Sequence, residues 1–303
     1  MAIYIDNQKR IKDIFINVNG QKKRIESVFT NKNGVPAKVF SRNKNNINVT
    51  WTDGSYEEIA ALLDMHYAGE IDISNYWHIG DKRVVHLSSM PSWNDTYGEA
   101  QPSQDVTLVI IGFNFDTLQT PINGISKSAI TVHLRYTLST YGVIDADYIE
   151  KEKNFNSVTL EWVACDRRKW CNNTFKNSLP SELSSLIKVV KKSNYYVKFS
   201  GSPSREIFYR IDDNFKAPNY VYDSCFLLSK NEVGLIGSSD PTDPTYPYFN
   251  DSQNRSKDYR WWIRQPSFGG EENTFLSWAD IYTTNNGAQF IKNEGGIAPA
   301  FCL

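Results

Sequence analysis

The sequence predicts an α+β protein, with a small β-repeat segment ahead of a larger body of a few helices packed on antiparallel sheets. Three observations predict it. A 14-residue unit occurs twice near the start, a capping-box pattern opens an amphipathic helix at Ser55, and strand-like runs separated by turn residues fill most of the remainder.

The repeat is close to residue-for-residue. Lys9-Arg10-Ile11-x-x-Ile14-Phe15-x-Asn17-x-Asn19-Gly20 returns as Lys23-Arg24-Ile25-x-x-Val28-Phe29-x-Asn31-x-Asn33-Gly34. Each copy reads as one strand closed by an Asn-Gly turn. A unit this small cannot bury a core alone. Residues 1–40 are therefore expected to pack on copies of themselves, on other subunits or on a larger assembly, with Ile11, Ile14, Phe15, Asn19, Gly20, Ile25, Val28, Phe29, Asn33 and Gly34 as the assembly residues. Residues 41–50 are polar and turn-rich, a linker, and 51–303 form the α+β domain.

Within that domain Ser55 and Glu58 make a capping box. Ile59, Leu62, Leu63 and His66 then share one helical face, and Gly69 stops the helix. Strands are expected at 84–87 and 106–115. A half-buried strand is expected where Ile130, Val132, Leu134, Tyr136 and Leu138 alternate with other residues, and a further strand at 158–163. Helical character returns at 166–175 and again after Pro180, where Leu183, Leu186, Ile187 and Val190 share a face and Lys191-Lys192 close it at the negative end of the dipole. Strands follow at 195–199, 207–211 and 220–228. A second capping box, Ser229 with Glu232, opens a short helix, and 238–258 form a long loop. The end is β again: 259–264, 276–283, an Asn285-Asn286-Gly287 turn, 288–292 and 297–303.

Composition narrows the function classes. Lys+Arg 33 against Asp+Glu 34 gives a net charge of -1, which argues against general nucleic-acid or anionic-membrane binding, since both depend on a basic field. No run approaches 18 consecutive apolar residues, so no membrane insertion is expected. The start lacks a basic region followed by an apolar one, so no secretory signal is expected. Cys165, Cys171, Cys225 and Cys302 form no Cys-x-x-Cys pair and read as reduced, mostly buried thiols. His66, His78, His86 and His133 are scattered and read as structural. No Gly-x-Ser-x-Gly, His-Glu-x-x-His or phosphate-loop motif occurs, so neither enzyme activity nor a cofactor is expected.

Four ordered blocks carry a resemblance across about residues 51–303. Asn75-Tyr76-Trp77-His78-Ile79-Gly80-Asp81 with the following Lys82-Arg83-Val84-Val85-His86-Leu87 is the first, and Arg167-Arg168-Lys169-Trp170-Cys171-Asn172-Asn173-Thr174-Phe175 the second. Asp223-Ser224-Cys225-Phe226-Leu227-Leu228-Ser229 through Glu232-Val233 is the third, and Trp261-Trp262-Ile263-Arg264-Gln265-Pro266 with the terminal Gly296 to Leu303 the fourth. Together they resemble a C-type-lectin-like domain family without assigned biochemical function, frequent in tail proteins of phages and prophages of Gram-positive bacteria. One departure is Ala298, where that family usually carries an arginine. The Asn-Gly repeats look like short N-terminal strand repeats of phage tail proteins. The resemblance implies a tail fibre or receptor-binding protein located in the virion and made in the bacterial cytoplasm. Residues 1–40 would contact other tail subunits, and 51–303 a host-surface glycan or protein. A homotrimer fits that role. Two alternatives stay open, a structural tail or baseplate decoration and an enzyme of lectin-like fold.

Candidate binding residues are late in the chain. Tyr282, Thr283, Asn285, Asn286, Gln289 and Asn293 line the last hairpin, and Tyr and Asn are paratope-like, giving rigid contact area and adaptable hydrogen bonds. Trp261 and Arg264 could form an aromatic platform, with core packing as the competing role. Trp93-Asn94-Asp95 matches the calcium-ligating tripeptide of sugar-binding C-type lectins but lacks its partner motif, so a capped turn is expected. Asp240, Asp243, Asn250 and Asp251 offer oxygens in a Pro-containing loop that reads as a rigid, solvated excursion rather than a calcium site. No metal is expected at either place.

Overall fold

The structure is a computed structural model and describes residues 14–18, 21–25, 27–32, 35–41, 49–92, 100–140, 159–194, 196–199, 205–206, 220–235, 243–255, 257, 261–267, 275–279, 288–290 and 295–303. The chain divides into two units, Met1–Asn48 and Val49–Leu303. Helices and sheets are both present, so the fold is mixed α+β.

Among its described residues the first unit holds two antiparallel hairpins. Strand β1 (Ile14–Val18) pairs with β2 (Gln21–Ile25), and β3 (Ser27–Lys32) pairs with β4 (Val35–Ser41). The register explains the repeat. Ile14, Phe15 and Ile16 of the first copy face Ile25, Arg24 and Lys23, so the Lys-Arg-Ile of the second copy is the return strand of the first. The 14-residue spacing is thus the length of one strand, one turn and one return. Ile11, Asn19, Gly20, Asn33 and Gly34 lie outside the described residues.

In the second unit Ser55 and Glu58 cap α1 (Tyr56–Tyr67) reciprocally: Glu58 N donates to Ser55 Oγ at 3.2 Å and Ser55 N to Glu58 Oε2 at 3.0 Å. Ile59, Leu62, Leu63 and His66 are buried, and Gly69 leaves the helix at φ +70. A five-stranded antiparallel sheet follows the order β15 (Cys225–Phe226), β19 (Ala300–Cys302), β9 (Ile130–Leu134), β6 (Gln104–Phe113) and β5 (Lys82–Leu87). The late strand β19 runs between β15 and β9, and Tyr67 Oη of α1 donates to Leu303 O at 2.8 Å. A four-stranded sheet orders β14 (Tyr220–Asp223), β11 (Val190–Ser193), β7 (Thr117–Ile122) and β8 (Ile125–Lys127). Among the described residues there are also two three-stranded sheets, β10 (Thr159–Glu161), β12 (Tyr196–Phe199) and β13 (Arg205–Glu206), and β16 (Trp261–Ser267), β17 (Phe275–Ala279) and β18 (Ala288–Phe290).

Four expectations are corrected. β9 is buried at every position rather than on one face, because it lies between two other strands and is covered on both sides. The helix after Pro180 is α2 (Ser181–Leu186) and stops there: Ile187 turns extended (φ -62, ψ 128), so Lys191 and Lys192 lie on strand β11 and close no helix. The Ser229–Glu232 capping box forms, with Glu232 N donating to Ser229 Oγ at 3.2 Å, but it closes a turn that ends at Gly234 (φ +74) without a helix. The stretch expected as one strand at 220–228 is split between β14 and β15, which belong to different sheets. Residues 207–211 lie outside the described residues. Among the described residues no helix is long and apolar enough to cross a membrane.

The helix expected at 166–175 begins as α-helix over Asp166–Trp170 and widens to a π-helical stretch, Cys171–Phe175. It is pinned by the buried carboxylate of Asp223. That group accepts from Trp162 Nε1 at 2.8 Å, Arg168 Nε at 2.7 Å and Asn172 Nδ2 at 3.1 Å, while Asn172 Oδ1 accepts from Ser224 N at 2.7 Å. Trp77 is fully buried and donates to Val49 O at 2.8 Å, and Asp81 Oδ2 accepts from His78 N at 2.8 Å. The blocks carrying the family resemblance are therefore packing and turn-closing elements.

Candidate functional site

Alternation along β11 turns Val190 and Lys192 into the core and leaves Lys191 half-buried. An ammonium at 2% exposure needs partners. Lys192 Nζ bonds Asp116, just before β7, and donates to Glu232 Oε1 and Tyr246 Oη at 2.9 Å each. Arg264 on β16 is fully buried. It forks onto Glu232 at 2.5 and 3.0 Å and donates to Asp243 Oδ2 at 2.6 Å and to Leu227 O at 2.8 Å. Asp116 also accepts from Thr131 Oγ1 at 2.5 Å and from Tyr246 Oη at 2.8 Å. Ser193 Oγ donates to Asp243 Oδ1 at 2.6 Å. Two cations and three carboxylates from five chain segments thus form one network.

The network is fixed in charge near neutrality. Burial alone would raise Glu232, but Arg264 and then Lys192 overcome it and hold its carboxyl at about 2. Burial would lower Lys192, but Asp116 and Glu232 reverse that and raise it. Burial, reinforced by Asp116, pushes the Tyr246 phenol and the Cys302 thiol well up. None of these four groups is poised to exchange a proton near pH 7, as acid–base catalysis requires. The network's chemistry is positional: it locks a polar floor.

Above that floor opens a cavity of about 270 Å³, walled by Phe115, Thr117, Lys127, Lys191, Tyr220 and Pro244 and floored by Asp116, Lys192, Ser193, Glu232 and Asp243. Its size is at the small end for ligand pockets, near one sugar ring or a small head group. Phe115 stacks on Tyr246 at 4.1 Å, closing one side. Lys127 Nζ donates to Phe115 O at 2.9 Å and Thr117 Oγ1 at 3.0 Å, and Lys191 Nζ sits 3.6 Å from the Tyr220 ring centroid. A second cavity of about 260 Å³ is lined by uncharged residues, among them Ser88, Met90, Asn173 and Asn177.

The candidates from sequence fare as follows. Trp261 and Arg264 are both 0% exposed. Trp261 packs 5.2 Å from the His133 ring and Arg264 is consumed by the ion network, so neither forms a surface platform. Tyr282, Thr283, Asn285, Asn286 and Asn293 lie outside the described residues, as do Asn94, Asp95 and Asp240; Gln289 lies on β18. Asp243 has its oxygens on Ser193 and Arg264, and Asp251 Oδ1 accepts from Gln253 N at 2.9 Å. Among the described residues no group of three or more His, Cys, Asp or Glu is placed to hold a metal. All four cysteines are buried. Lys192 and Asp116 were missed. The available signal was Val190-Lys191-Lys192-Ser193, which alternates as a strand as readily as it ends a helix. His86, read as structural, is exposed on β5 and forms a surface chain, with Nδ1 2.7 Å from Asp105 Oδ1 and Nε2 2.7 Å from Ser103 Oγ.

Residues 140–303 match the family described as a domain of unknown function, DUF6273. The match spans more than half of the 303 residues, and the chain belongs to that family. No curated protein and no solved structure matches the chain.

Proposed function

We propose that the chain is a tail protein of a phage or phage-like particle. In this reading the hairpin unit attaches to neighbouring tail subunits, as a trimer, and the larger unit, a C-type-lectin-like domain, binds a host-surface glycan or protein without catalysis. The observation that carries the binding role is the sugar-sized cavity on a floor of locked charges. A rigid polar floor lowers the cost of ordering on binding. The separate hairpin unit, too small for a core of its own, supports the attachment role. Weak single sites would add through multivalency.

A second reading is favoured by one observation, the Ser103–His86–Asp105 chain, which has the order of a hydrolase triad. Its His86 and Asp105 side chains are 66% and 69% exposed. Water therefore screens the charges that such a site must concentrate. Ser103 Oγ also donates to Leu87 O at 3.0 Å. Binding is the better-supported role.

The test is sedimentation of the labelled full-length chain with intact cells of a panel of Gram-positive strains. The chain should pellet with a subset of strains, and unlabelled chain should compete. Ser103→Ala should pellet unchanged. Absence of retention across the panel, with antibody locating the chain inside tails, would make it a structural decoration. Loss of retention in Ser103→Ala, or release of cell-wall product, would favour the enzyme.

A further inference from the structure

We propose that the cavity between β7, β8, β11 and β14 takes an anionic group, phosphate or carboxylate, carried on a sugar or polyol. The proposal rests on the reading of this cavity as the binding site and adds the ligand's chemical class.

The groups of the floor are bonded to one another, three carboxylates against two cations, which leaves the floor one negative charge and no cation to spare. Asp116 is held by Lys192, Tyr246 and Thr131, Glu232 by Arg264 and Lys192, and Asp243 by Arg264 and Ser193. Two cations remain at the mouth. Among the described residues neither Lys127 nor Lys191 has a carboxylate partner: Lys127 donates to a carbonyl and a hydroxyl, and Lys191 rests on the Tyr220 ring. An ammonium has three donors, so Lys127 keeps one and Lys191 has its own to give. Thr117 Oγ1 accepts from Lys127 and retains its hydroxyl proton for a ligand. The rim therefore offers positive charge and donors, which an anion accepts through charge-assisted bonds. The depth differs. Ser193 Oγ spends its proton on Asp243 and can only accept there, which suits a ligand hydroxyl. Tyr220, 37% exposed, supplies a ring wall. An uncharged sugar would leave the rim cations unanswered, and a bare inorganic anion would leave the acceptor floor unused.

The experiment is titration calorimetry of the full chain with glucose, glucose 6-phosphate and glucuronate as probes. It is repeated on Lys127→Gln, Lys191→Gln and Lys191→Arg, with thermal melts as the folding control. The expected result is binding of at least one anionic probe about tenfold or more tighter than glucose, weakening with added salt. Each Gln variant should lose about tenfold, and Lys191→Arg should retain most of the affinity. The stronger of the two anionic probes identifies the source, phosphate or carboxylate. Equal binding of glucose and both anions, no binding of any probe, or unchanged affinity in both Gln variants overturns the assignment. Cell sedimentation with the Lys127→Gln/Lys191→Gln double variant separates the two proposals. Full retention by that variant, with no anion preference in calorimetry, sinks the ligand class and leaves host binding standing. An anion preference in a chain that no cell retains does the reverse.

Discussion

Arg264→Met should destabilise the larger unit by about 3–5 kcal/mol, the usual cost of removing one partner from a buried ion network. Methionine fills much of the space but donates nothing. Glu232 then loses both fork bonds, Asp243 loses its charged partner, and Leu227 O loses a donor, all in a buried setting. Arg264→Lys should recover little, because one ammonium cannot reach all of these acceptors. The pH dependence gives a separate signature. Glu232 sits at about 2 in the folded chain, against about 4.3 when unfolded. Its ionisation therefore stabilises the fold above about 4.3, and that contribution fades as pH falls from about 4.3 through 2. Without Arg264 the burial of Glu232 is no longer overcome and its folded value rises. The variant should be weaker at neutral pH and show a flatter stability loss across that acid window. Urea unfolding at several pH values measures both effects. A Met variant as stable as the parent at pH 7 would mean that the network is dispensable.

Phe301→Ala should cost a similar amount, about 3–5 kcal/mol, for a different reason. Phe301 is fully buried on β19, opposite Cys225 on one side and Val132 on the other. Truncation leaves a cavity among strands that hydrogen bonds hold at fixed spacing, so collapse around it is limited. The loss should appear as a lower denaturation midpoint with an unchanged slope. A change below about 1 kcal/mol would mean that β19 is not packed between β15 and β9 as described above.

How much of this was legible in the sequence differs from element to element. Helix α1 was fully legible, because its capping box and its apolar face are local signals that packing reinforces. The strands were mostly legible as runs, but not their sheets: nothing local in Val221 or Phe226 says that β14 and β15 part company. The body of the site was not legible. Lys192 reaches Asp116, Glu232 and Tyr246 only after β7, β11 and the Ser229 turn converge, contacts 76, 40 and 54 residues apart. A lysine pair after an amphipathic stretch satisfies the dipole rule for a helix end equally well, and the extended turn at Ile187 decided between the two. Arg264 stands out in the sequence, but as a candidate for an aromatic platform, and the structure buries it in the ion network. An arginine beside two tryptophans can line a sugar platform or anchor a buried network, and the carboxylates that settle it lie 32 and 21 residues away.

On the proposal made above, host recognition occurs in the cavity over the locked ion network. Hydrogen exchange of the full chain, with and without solubilised wall glycan from a strain that retains it, tests this most directly. Slowed exchange should concentrate in β7, at Lys127 and along β11 and β14, with little change in β5. Protection confined to 280–294, or none at the cavity, would contradict it.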